Sequence, residues 1–439
     1  MGVINRLSGI FQPITVTAKA SNLTHKGVTS KSQRLMLELG ILQQANTGCF
    51  HYLPLGLKSL NKLINLVDEE LQNIGGQKMI FPTLVKSDLW EKSGRASEMG
   101  PELLTLQDRR DHKYILAPTH EETASHLLSS IAPISYKNLP LLLYQITSKF
   151  RDEMKPRFGL IRSREFIMKD MYSFDLTQDT ALETYEKVCS SYNKIFKKIG
   201  VKFIKVLGHS GTMGGNLSHE YHFLTDKGED KIVKCSKCDF IGNQEVLTDT
   251  GCLKCKSENS LTYETGIEVA HTFMLGEKYS KPLEANCIDK NTKKHTLQMG
   301  SYGIGISRII AASLECLSLE KELRWPDRIA PYNVIILPPK LGSKEESLIG
   351  NLGEKLYHNL ESAFPCLKNN VLLDDRTSYT IGRRFIDAKR TGYRYIIVLN
   401  KKCGDAIPLY ELNDLHKDQQ LYLSENDLAK YIKENTDFE

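Results

Sequence analysis

Residues 150–166 read Phe-Arg-Asp-Glu-Met-Lys-Pro-Arg-Phe-Gly-Leu-Ile-Arg-Ser-Arg-Glu-Phe and form the densest polar stretch of the chain. Residues 141–151 alternate as a β-strand does, residues 154–159 are rich in turn-forming residues, and residues 160–174 return as a second strand. The pattern predicts an antiparallel hairpin. We expect one of its faces to direct four side chains toward a common ligand: Arg151, Glu153, Arg162 and Phe166.

Converging arginines favour an anionic ligand, because burying like charges together is costly. Phosphate fits best, since a planar guanidinium matches it with two parallel hydrogen bonds. An aromatic ring beside the arginines can stack on a base. The simpler interpretation is a salt-bridged surface hairpin, which is the more frequent outcome for such a stretch considered by itself.

Two further segments flank the hairpin in the sequence. Gly76-Gln-Lys-Met-Ile-Phe-Pro82 precedes it, and Gly300-Ser-Tyr-Gly-Ile-Gly-Ile-Ser-Arg308 follows it with glycines that let a backbone approach a nucleotide. Together with the Arg-x-Glu, loop and Arg-x-x-x-Phe of the hairpin, they resemble motifs 1, 3 and 2 of class II aminoacyl-tRNA synthetases. The resemblance extends over roughly residues 31–425. It implies an α+β catalytic domain, an antiparallel sheet with helices, followed by an α/β anticodon-binding domain.

The resemblance also implies roles for these residues with ATP and Mg²⁺. Arg151 would hold the α-phosphate and the amino-acid carboxylate, while Arg162 and Arg308 would hold the outer phosphates. Adenine would lie between Phe166 and Arg308. Motif 1 implies a homodimer. The implied catalytic residues are Arg151 and Arg308, and the implied ATP-binding residues are Arg151, Glu153, Arg162, Phe166 and Arg308.

The segment Leu116-Ala-Pro-Thr-His-Glu-Glu122 resembles the loop by which prolyl-tRNA synthetases hold the imino nitrogen of proline. The chemistry agrees with this, since a secondary ammonium has two N–H donors that a hydroxyl and a carboxylate can accept. Thr119 and Glu121 are the candidates. The alternative is helix capping, with Thr119 as the N-cap and Glu122 as its capping-box partner.

A glycine-rich segment, Gly211-Thr-Met-Gly-Gly-Asn-Leu-Ser-His-Glu220, resembles the part of the same family that closes the proline pocket. His219 would then lie near the proline ring, although a lone histidine is more often structural. Ser301 stands where bacterial relatives often carry cysteine. The proline-binding residues that the resemblance implies are Thr119, Glu121, Arg151, His219 and Ser301.

Four of the ten cysteines form two Cys-x-x-Cys pairs separated by thirteen residues, within a Cys-rich module at about residues 230–262. Paired knuckles of this kind can offer four thiolates to a tetrahedral zinc ion. The alternative is a vestigial module with free thiols. The candidate metal ligands are Cys235, Cys238, Cys252 and Cys255.

From residue 333 the pattern alternates strand, helix, strand, helix and strand, which predicts a small α/β domain with a mostly parallel sheet over residues 332–439. It resembles the anticodon-binding domain of the same class. Basic residues at the start of a helix suit RNA phosphates and exposed bases. A solvated basic face is the alternative for any single arginine. The candidate tRNA-binding residues are Arg376, Arg383 and Arg384.

Bulk properties place the chain among globular proteins. Its 439 residues predict two or three domains, its net charge of +5 does not indicate nucleic acid, and no apolar run has the length of a membrane span, so we expect no membrane insertion. The first 37 residues contain no acidic residue. Residues 1–30 are therefore interpreted as a mitochondrial presequence or a flexible basic arm, and residues 31–325 as the catalytic domain.

The combined expectation is a proline–tRNA ligase of the mitochondrial type in the mitochondrial matrix. Its partners would be proline, ATP, tRNA(Pro) and a second copy of the chain. Two alternatives remain: a class II synthetase for another amino acid, or a non-catalytic class II-like tRNA-binding accessory protein. The second is less favoured because its motif arginines would have been lost, whereas Arg151, Arg162 and Arg308 are present.

Overall fold

A computed structural model describes residues 3–14, 30–131, 133–247 and 251–436. Its strands are β1 (Leu42–Asn46), β2 (Cys49–Tyr52), β3 (Gln77–Lys78), β4 (Leu84–Lys86), β5 (Leu104–Gln107), β6 (Lys113–Leu116), β7 (Ile134–Ser135), β8 (Leu141–Phe150), β9 (Glu165–Asp175), β10 (Phe203–Leu207), β11 (Leu217–Leu224), β12 (Asp230–Cys235), β13 (Ile241–Asn243), β14 (Leu261–Gly276), β15 (Asn286–Ile288), β16 (Lys294–Thr296), β17 (Gln298–Gly305), β18 (Val334–Leu337), β19 (Val371–Leu373), β20 (Tyr395–Val398), β21 (Tyr410–Asp414) and β22 (Gln419–Leu423).

The α-helices alternate with these strands along the chain. They are α1 (Lys31–Glu38), α2 (Pro54–Gln72), α3 (Ser87–Lys92), α4 (Arg95–Met99), α5 (Glu121–Ser130), α6 (Gln178–Ile199), α7 (Ile306–Leu317), α8 (Lys344–Ile349), α9 (Leu352–Ala363), α10 (Ile381–Thr391) and α11 (Glu425–Asn435).

A nine-stranded sheet with the order β11-β10-β13-β12-β14-β17-β9-β8-β3 forms the centre of the catalytic part. Neighbouring strands are antiparallel except for two short parallel pairs, β3 with β8 and β10 with β13. The antiparallel sheet with helices and the following α/β domain confirm the predicted fold class. Smaller sheets have the strand orders β1-β2, β4-β6-β5 and β16-β15-β7.

The helices α2, α6 and α7 cover one face of this sheet, and their apolar spacing explains why. In α2, Leu60, Leu63, Val67 and Leu71 recur at helical spacing and are almost completely buried. The helix α6 begins at a capping box formed by Thr177 and Thr180 and ends at Gly200 with a positive φ. The helix α7 is buried around most of its circumference, which places it between the sheet and the other helices.

The motif 2 hairpin is shorter than the sequence predicts. The second strand begins at Glu165 and not at residue 160, because Gly159–Ile161 form a 3-10 turn after the positive φ values of Phe158 (57°) and Gly159 (63°). The N–H of Arg164 then bonds to the carbonyl of Gly48 in place of a strand partner. As a result, Arg151, Glu153 and Arg162 extend from the connecting loop, and Phe166 alone of the four candidates lies on a strand.

The motif 1 segment does not form one continuous strand. Only Gln77–Lys78 and Leu84–Lys86 are paired as strands. Between them, Pro82 has no N–H to contribute to a ladder, and the N–H of Phe81 bonds to the side chain of Gln145 at 2.9 Å. Ile80 remains 77% exposed, so this extended segment presents apolar surface at the β3 edge of the sheet.

The C-terminal domain contains one five-stranded sheet of order β19-β18-β20-β21-β22. The strands β18, β19 and β20 are parallel and completely buried, whereas β21 and β22 return antiparallel. The helix α10 begins at Thr380, whose hydroxyl accepts the N–H of Arg383, and ends before Gly392. Within the described ranges, no helix has both the length and the apolar character needed to cross a membrane.

Residues 3–14 contact both parts of the molecule, although they belong to the segment interpreted as a presequence or basic arm. Residues 15–29 of that segment lie outside the described residues. The contacts to the C-terminal domain are Asn5 with Leu373 (2.9 Å), Arg6 with Glu354 (2.6 Å) and Ser8 with Asp375 (2.9 Å), and Gln12 contacts Leu39 of the catalytic part (2.9 Å).

Candidate active site and metal site

One cavity of about 500 Å³ brings most of the predicted site residues together. It lies on the face of the nine-stranded sheet opposite to α6: Ser301 lines the cavity, whereas the next residue, Tyr302, points to Tyr185 of α6 (ring centres 6.0 Å apart). The cavity is lined by eight of the nine residues predicted for ATP and proline, namely Thr119, Glu121, Arg151, Glu153, Arg162, Phe166, Ser301 and Arg308.

Arg151 is the first residue beyond β8. Its guanidinium carbon lies 5.2 Å from the centre of the Phe166 ring. Its buried Nε has no hydrogen-bond partner among the residues that the structure describes. Burial, and then the nearby charge of Arg308, lower the pKa of Arg151. A cation destabilised in this way favours an anion beside it, because the anion replaces the solvation that burial removed.

The loop arginines are held by carboxylates. Arg162 donates from Nε to Glu153 (2.7 Å) and lies 3.3 Å from Glu229, which also pairs with Arg157 at 2.6 Å. Burial acts to raise the pKa of Glu153, but the hydrogen bonds from Arg162 and the Lys155 backbone, together with the charges of Arg162 and Arg157, lower that pKa. These pairs are partly exposed and therefore contribute little to stability. Their effect is to hold two cations at the mouth of the cavity.

Arg308 enters the cavity from the first turn of α7. Its Nε donates to the carbonyl of Ile161 (3.0 Å) and its Nη1 to the carbonyl of Glu268 (2.9 Å). The Glu268 carboxylate lies 3.7 Å from Nη1 and 3.2 Å from Nδ1 of His271. Burial acts to raise the pKa of Glu268, but His271 and Arg308 lower it well below its usual range. Sequence reasoning missed Glu268 and His271, because no motif marked β14.

At the other end of the cavity, two hydroxyls point at one carboxylate. Thr119 donates to Glu121 at 2.7 Å and Ser301 donates to it at 2.8 Å, and all three side chains are buried. Each hydroxyl gives its only hydrogen to Glu121, so its oxygen lone pairs remain free to accept. The helix α5 begins at Glu121 with His120 as its N-cap and without a side-chain cap bond. The capping interpretation of Thr119 and Glu122 is therefore wrong.

Arg95 is a site residue that the sequence did not reveal. Its Nη1 donates to Glu121 (2.9 Å) and lies 3.4 Å from Glu122, and its guanidinium stacks over the Trp90 ring at 4.7 Å. Burial raises the pKa of Glu122, although Arg95 opposes that shift. One buried arginine thus serves two buried carboxylates and fixes the orientation of Glu121. No spacing or motif around residue 95 indicates this role.

The structure separates His219 from the cavity, in contrast to its predicted place near proline. Its Nδ1 lies 2.7 Å from the hydroxyl of Tyr185 on α6, and burial lowers its pKa to about 4. The reason is strand alternation, since successive residues of β11 face opposite sides of the sheet. His271 and Phe273 line the cavity instead, with ring centres 3.9 Å apart.

The cavity can bind a molecule with a positive and a negative end. Glu121, Thr119 and Ser301 offer oxygen acceptors at one end, and Arg151, Arg162 and Arg308 offer guanidinium groups at the other. The arrangement suits an amino acid next to a polyphosphate.

The four paired cysteines form a second, separate cluster. Their Sγ atoms all lie within 4.8 Å of one another, with Cys235 to Cys255 at 3.7 Å and Cys238 to Cys252 at 3.6 Å. Tetrahedral zinc with Zn–S bonds of about 2.3 Å requires sulfur atoms about 3.8 Å apart. The donor set and its spacing therefore fit a structural zinc ion. The module begins with β12, a strand of the nine-stranded sheet, so it is continuous with the catalytic part.

The three candidate tRNA-binding arginines have different environments. Arg376 pairs with Asp374 (2.8 Å), and Arg384 is buried and donates to the carbonyls of Asp374 (3.1 Å) and Pro338 (2.6 Å). Arg383 instead stacks at 4.0 Å over the ring of the exposed Tyr379. Of the three, Arg383 is the one that presents its charge to a partner.

Comparison with known proteins gives the family. A family model described as the class II core domain of tRNA synthetases (G, H, P, S and T) matches residues 104–316, and one described as an anticodon-binding domain matches residues 334–435. A human protein named probable mitochondrial proline–tRNA ligase is 45% identical over 400 residues, covering 90% of this chain and 84% of the relative. The rat protein of the same name is 42% identical over 97% of this chain and 90% of its own length.

Solved structures show the same fold. The prolyl-tRNA synthetase of Giardia lamblia in complex with prolyl-adenylate superposes with a TM-score of 0.77 at 19% identity, over 93% of this chain and 78% of that one. The enzyme of Cryptosporidium parvum with L-proline and AMP superposes with a TM-score of 0.72 at 17% identity, over 92% and 76%. With its class II core, its anticodon-binding domain and relatives of 42–45% identity over nearly their whole length, the chain belongs to the family of proline–tRNA ligases, in its mitochondrial type.

Proposed function

We propose that the protein activates proline with ATP and transfers the prolyl group to the 3′ end of tRNA(Pro) in mitochondrial translation. The observation that carries this proposal is the opposition, in one cavity, of the buried Glu121 acceptor group and the Arg151 guanidinium, whose Nε has no partner among the described residues. The secondary ammonium of proline would donate to Glu121 and Thr119, and its carboxylate would then face Arg151.

In the first step, a carboxylate oxygen of proline attacks the α-phosphorus of ATP. The new O–P bond forms as the bond to the bridging oxygen breaks, so prolyl-adenylate and pyrophosphate result. The reaction needs positioning and charge stabilisation more than a protein nucleophile. Arg151 would stabilise the charge that builds on the α-phosphate, since its guanidinium already lines the cavity beside the Phe166 ring.

Arg162, Glu153 and Arg308 would hold the rest of the nucleotide. Arg162 and Arg308 would bind the outer phosphates, and Phe166 and Arg308 would enclose the adenine. Magnesium supplies further charge neutralisation on the phosphates when bound. Glu268 fits such an ion, because its carboxylate lines the cavity and its lowered pKa keeps it ionised.

In the second step, the terminal ribose hydroxyl of the tRNA attacks the carbonyl carbon of the adenylate, and AMP leaves. The C-terminal domain would bind the anticodon. We include Arg383 with Tyr379 as a contact surface for RNA, because stacked aromatic and guanidinium groups suit exposed bases. Arg376 and Arg384 would not contact the RNA but would stabilise this surface, because both bond to Asp374.

Two further parts of the proposal concern assembly and metal. We infer a homodimer that covers the motif 1 segment, where Ile80 is 77% exposed beside the edge strand β3. We also infer one structural zinc ion bound by Cys235, Cys238, Cys252 and Cys255, since the four sulfur atoms have tetrahedral spacing. The mitochondrial matrix is the proposed location, because the human and rat relatives are named mitochondrial.

Amino-acid-dependent ATP–pyrophosphate exchange tests the proposed function against its nearest rival, a class II enzyme for another amino acid. The purified protein is assayed with proline, threonine, serine or no amino acid. We expect exchange with proline and background rates otherwise. Exchange with threonine or serine in place of proline would establish the rival, and no exchange with any of the three would favour a non-catalytic protein.

A further inference from the structure

A buried hydrogen-bonded network lies directly behind the Thr119–Glu121 acceptors. The hydroxyl of Tyr172 accepts the N–H of His120 at 2.7 Å and donates to Asp170 at 2.8 Å. The same hydroxyl lies 3.2 Å from the Thr119 oxygen. The backbone that carries Thr119 and Glu121 is therefore fixed at the residue between them, and the point of attachment is Tyr172.

Gln145 connects this network to the motif 1 segment. Its Nε2 donates both hydrogens, one to Asp170 (2.9 Å) and one to Nδ1 of His120 (3.0 Å), while its Oε1 accepts the N–H of Phe81 (2.9 Å). Because Nδ1 of His120 accepts, its Nε2 must carry the hydrogen, and it donates that hydrogen to the carbonyl of Pro82 (3.0 Å).

The hydrogen bonds of this network fix the donor or acceptor role of each group in it. The Gln145 amide uses both of its hydrogens and its oxygen, and each bond in the set fixes the next one. Asp170 is the charged centre. Burial acts to raise its pKa, but the Lys149 ammonium at 2.8 Å, the neighbouring His120 and the hydrogen bond from Gln145 together lower that pKa well below the usual range, so the carboxylate accepts without a proton.

We propose that Gln145 and His120 are positioning residues for proline: they set the orientation of the Thr119 and Glu121 oxygens through Tyr172 without touching the substrate. This proposal rests on the proposed function, since it assigns Thr119 and Glu121 to the imino nitrogen. Neither positioning residue lines the cavity. A displacement of the acceptors changes the binding of proline and leaves the separate arginine cluster that would bind ATP in place.

Gln145→Glu tests the proposal, because it keeps the size of the side chain and replaces two N–H donors by one oxygen. At high pH the new carboxylate repels Asp170 and the lone pair of His120 Nδ1, whereas a proton taken up at low pH restores a donor. The charged and titratable groups that surround this position are Asp170, Lys149, Tyr172, His120 and, beyond them, Glu121.

We expect the proline KM of Gln145→Glu, measured by pyrophosphate exchange, to be at least about tenfold above wild type near pH 8.5 and to fall towards wild type near pH 6. The ATP KM should change by less than about twofold, because no hydrogen bond or ion pair among the described residues joins the network to Arg151, Arg162 or Arg308. The wild-type proline KM should show no comparable rise with pH.

Gln298→Glu is the matched control. Gln298 is also buried on the nine-stranded sheet, and its Nε2 donates to the carboxylate of the exposed Glu277 at 3.0 Å, so the same substitution places two carboxylates side by side away from the cavity. Its proline KM should stay at the wild-type value at each pH. The proposal is overturned if Gln145→Glu has a wild-type proline KM, if its two KM values rise together, or if the control shows the same pH profile.

Tyr172→Phe is a second test, for the case in which circular dichroism shows that Gln145→Glu does not fold. It removes only the hydroxyl that joins His120 to Asp170, and we expect a proline KM at least about tenfold higher that is independent of pH. A wild-type proline KM in this variant would contradict the proposal. Absence of proline-dependent exchange in the wild-type protein would instead refute the proposed function.

Discussion

At the scale of single residues, Arg151 has the most informative environment in the cavity. Its side chain is partly exposed and close to the like charge of Arg308, but its Nε is buried and lacks a partner within the described part of the chain. Arg151→Ala should therefore reduce proline-dependent exchange by about a thousandfold or more. Its melting temperature should equal or exceed that of wild type, because the variant loses an unfavourable buried charge.

Arg109→Ala, which removes an exposed arginine, is the control for this substitution and should leave exchange unchanged. Near-wild-type exchange in Arg151→Ala would contradict the assigned role. A large fall in the melting temperature would show that the arginine stabilises the fold and not the reaction.

Asp175 gives a prediction about pH. Burial raises its pKa from 3.8 to about 6, and one of its oxygens has no hydrogen-bond partner among the described residues. Because the folded pKa exceeds the unfolded value, the group destabilises the fold when ionised, and stability rises as the pH falls through about 6. Asp175→Asn should raise the melting temperature near pH 8, and this gain should disappear towards pH 4. A constant difference at all pH values would contradict the shift.

Individual site residues were predictable where chemistry and spacing coincide. Thr119 and Glu121 were predicted from the resemblance of residues 116–122 to the proline-binding loop, and their chemistry as acceptors for a secondary ammonium agrees with it. Arg95 contacts Glu121 only through folding, and no sequence pattern marks it. The position of His219 could have been questioned from the sequence. On a strand, its neighbours Ser218 and Glu220 must face the side of the sheet opposite to it.

At the scale of elements, the Cys-rich module gives the sharpest prediction. Metal analysis should find about one zinc ion per chain, and Cys235→Ser should abolish it, because three thiolates hold zinc more weakly than four. The variant should also have a lower melting temperature. Cys49→Ser, outside the cluster, should retain full zinc content. The alternative of free thiols would be established if the wild-type protein is purified without bound metal and Cys235→Ser has the same melting temperature as wild type.

The hairpin illustrates what sequence can and cannot determine about an element. Its first strand was predicted over 141–151 and occurs at Leu141–Phe150, because alternation reports strand pairing directly. The second strand begins five residues later than predicted, since Gly159–Ile161 form a 3-10 turn whose N-cap, Phe158, adopts a positive φ that its residue type does not indicate. The domain bounds of 31–325 and 332–439 and the interpretation of residues 1–30 stay predictions.

At the scale of the whole molecule, the exposed motif 1 segment predicts how two copies assemble. Ile80→Asp should convert a dimer into a monomer in sedimentation analysis, because a charge in an apolar interface is costly to bury. Ile407→Asp is the matched control, since Ile407 is 73% exposed in the C-terminal domain, and it should remain dimeric. A monomeric wild-type protein, or equal dissociation of both variants, would contradict the proposed interface.

The central claim is that one cavity holds proline at the Glu121 end and the nucleotide at the arginine end. A crystal structure with a non-hydrolysable analogue of prolyl-adenylate tests it most directly. We predict the imino nitrogen within about 3 Å of the Thr119 and Glu121 oxygens, and the phosphate mimic beside Arg151. An analogue bound in the reverse direction, or outside the cavity formed by Thr119, Glu121, Arg151 and Arg308, would contradict the account.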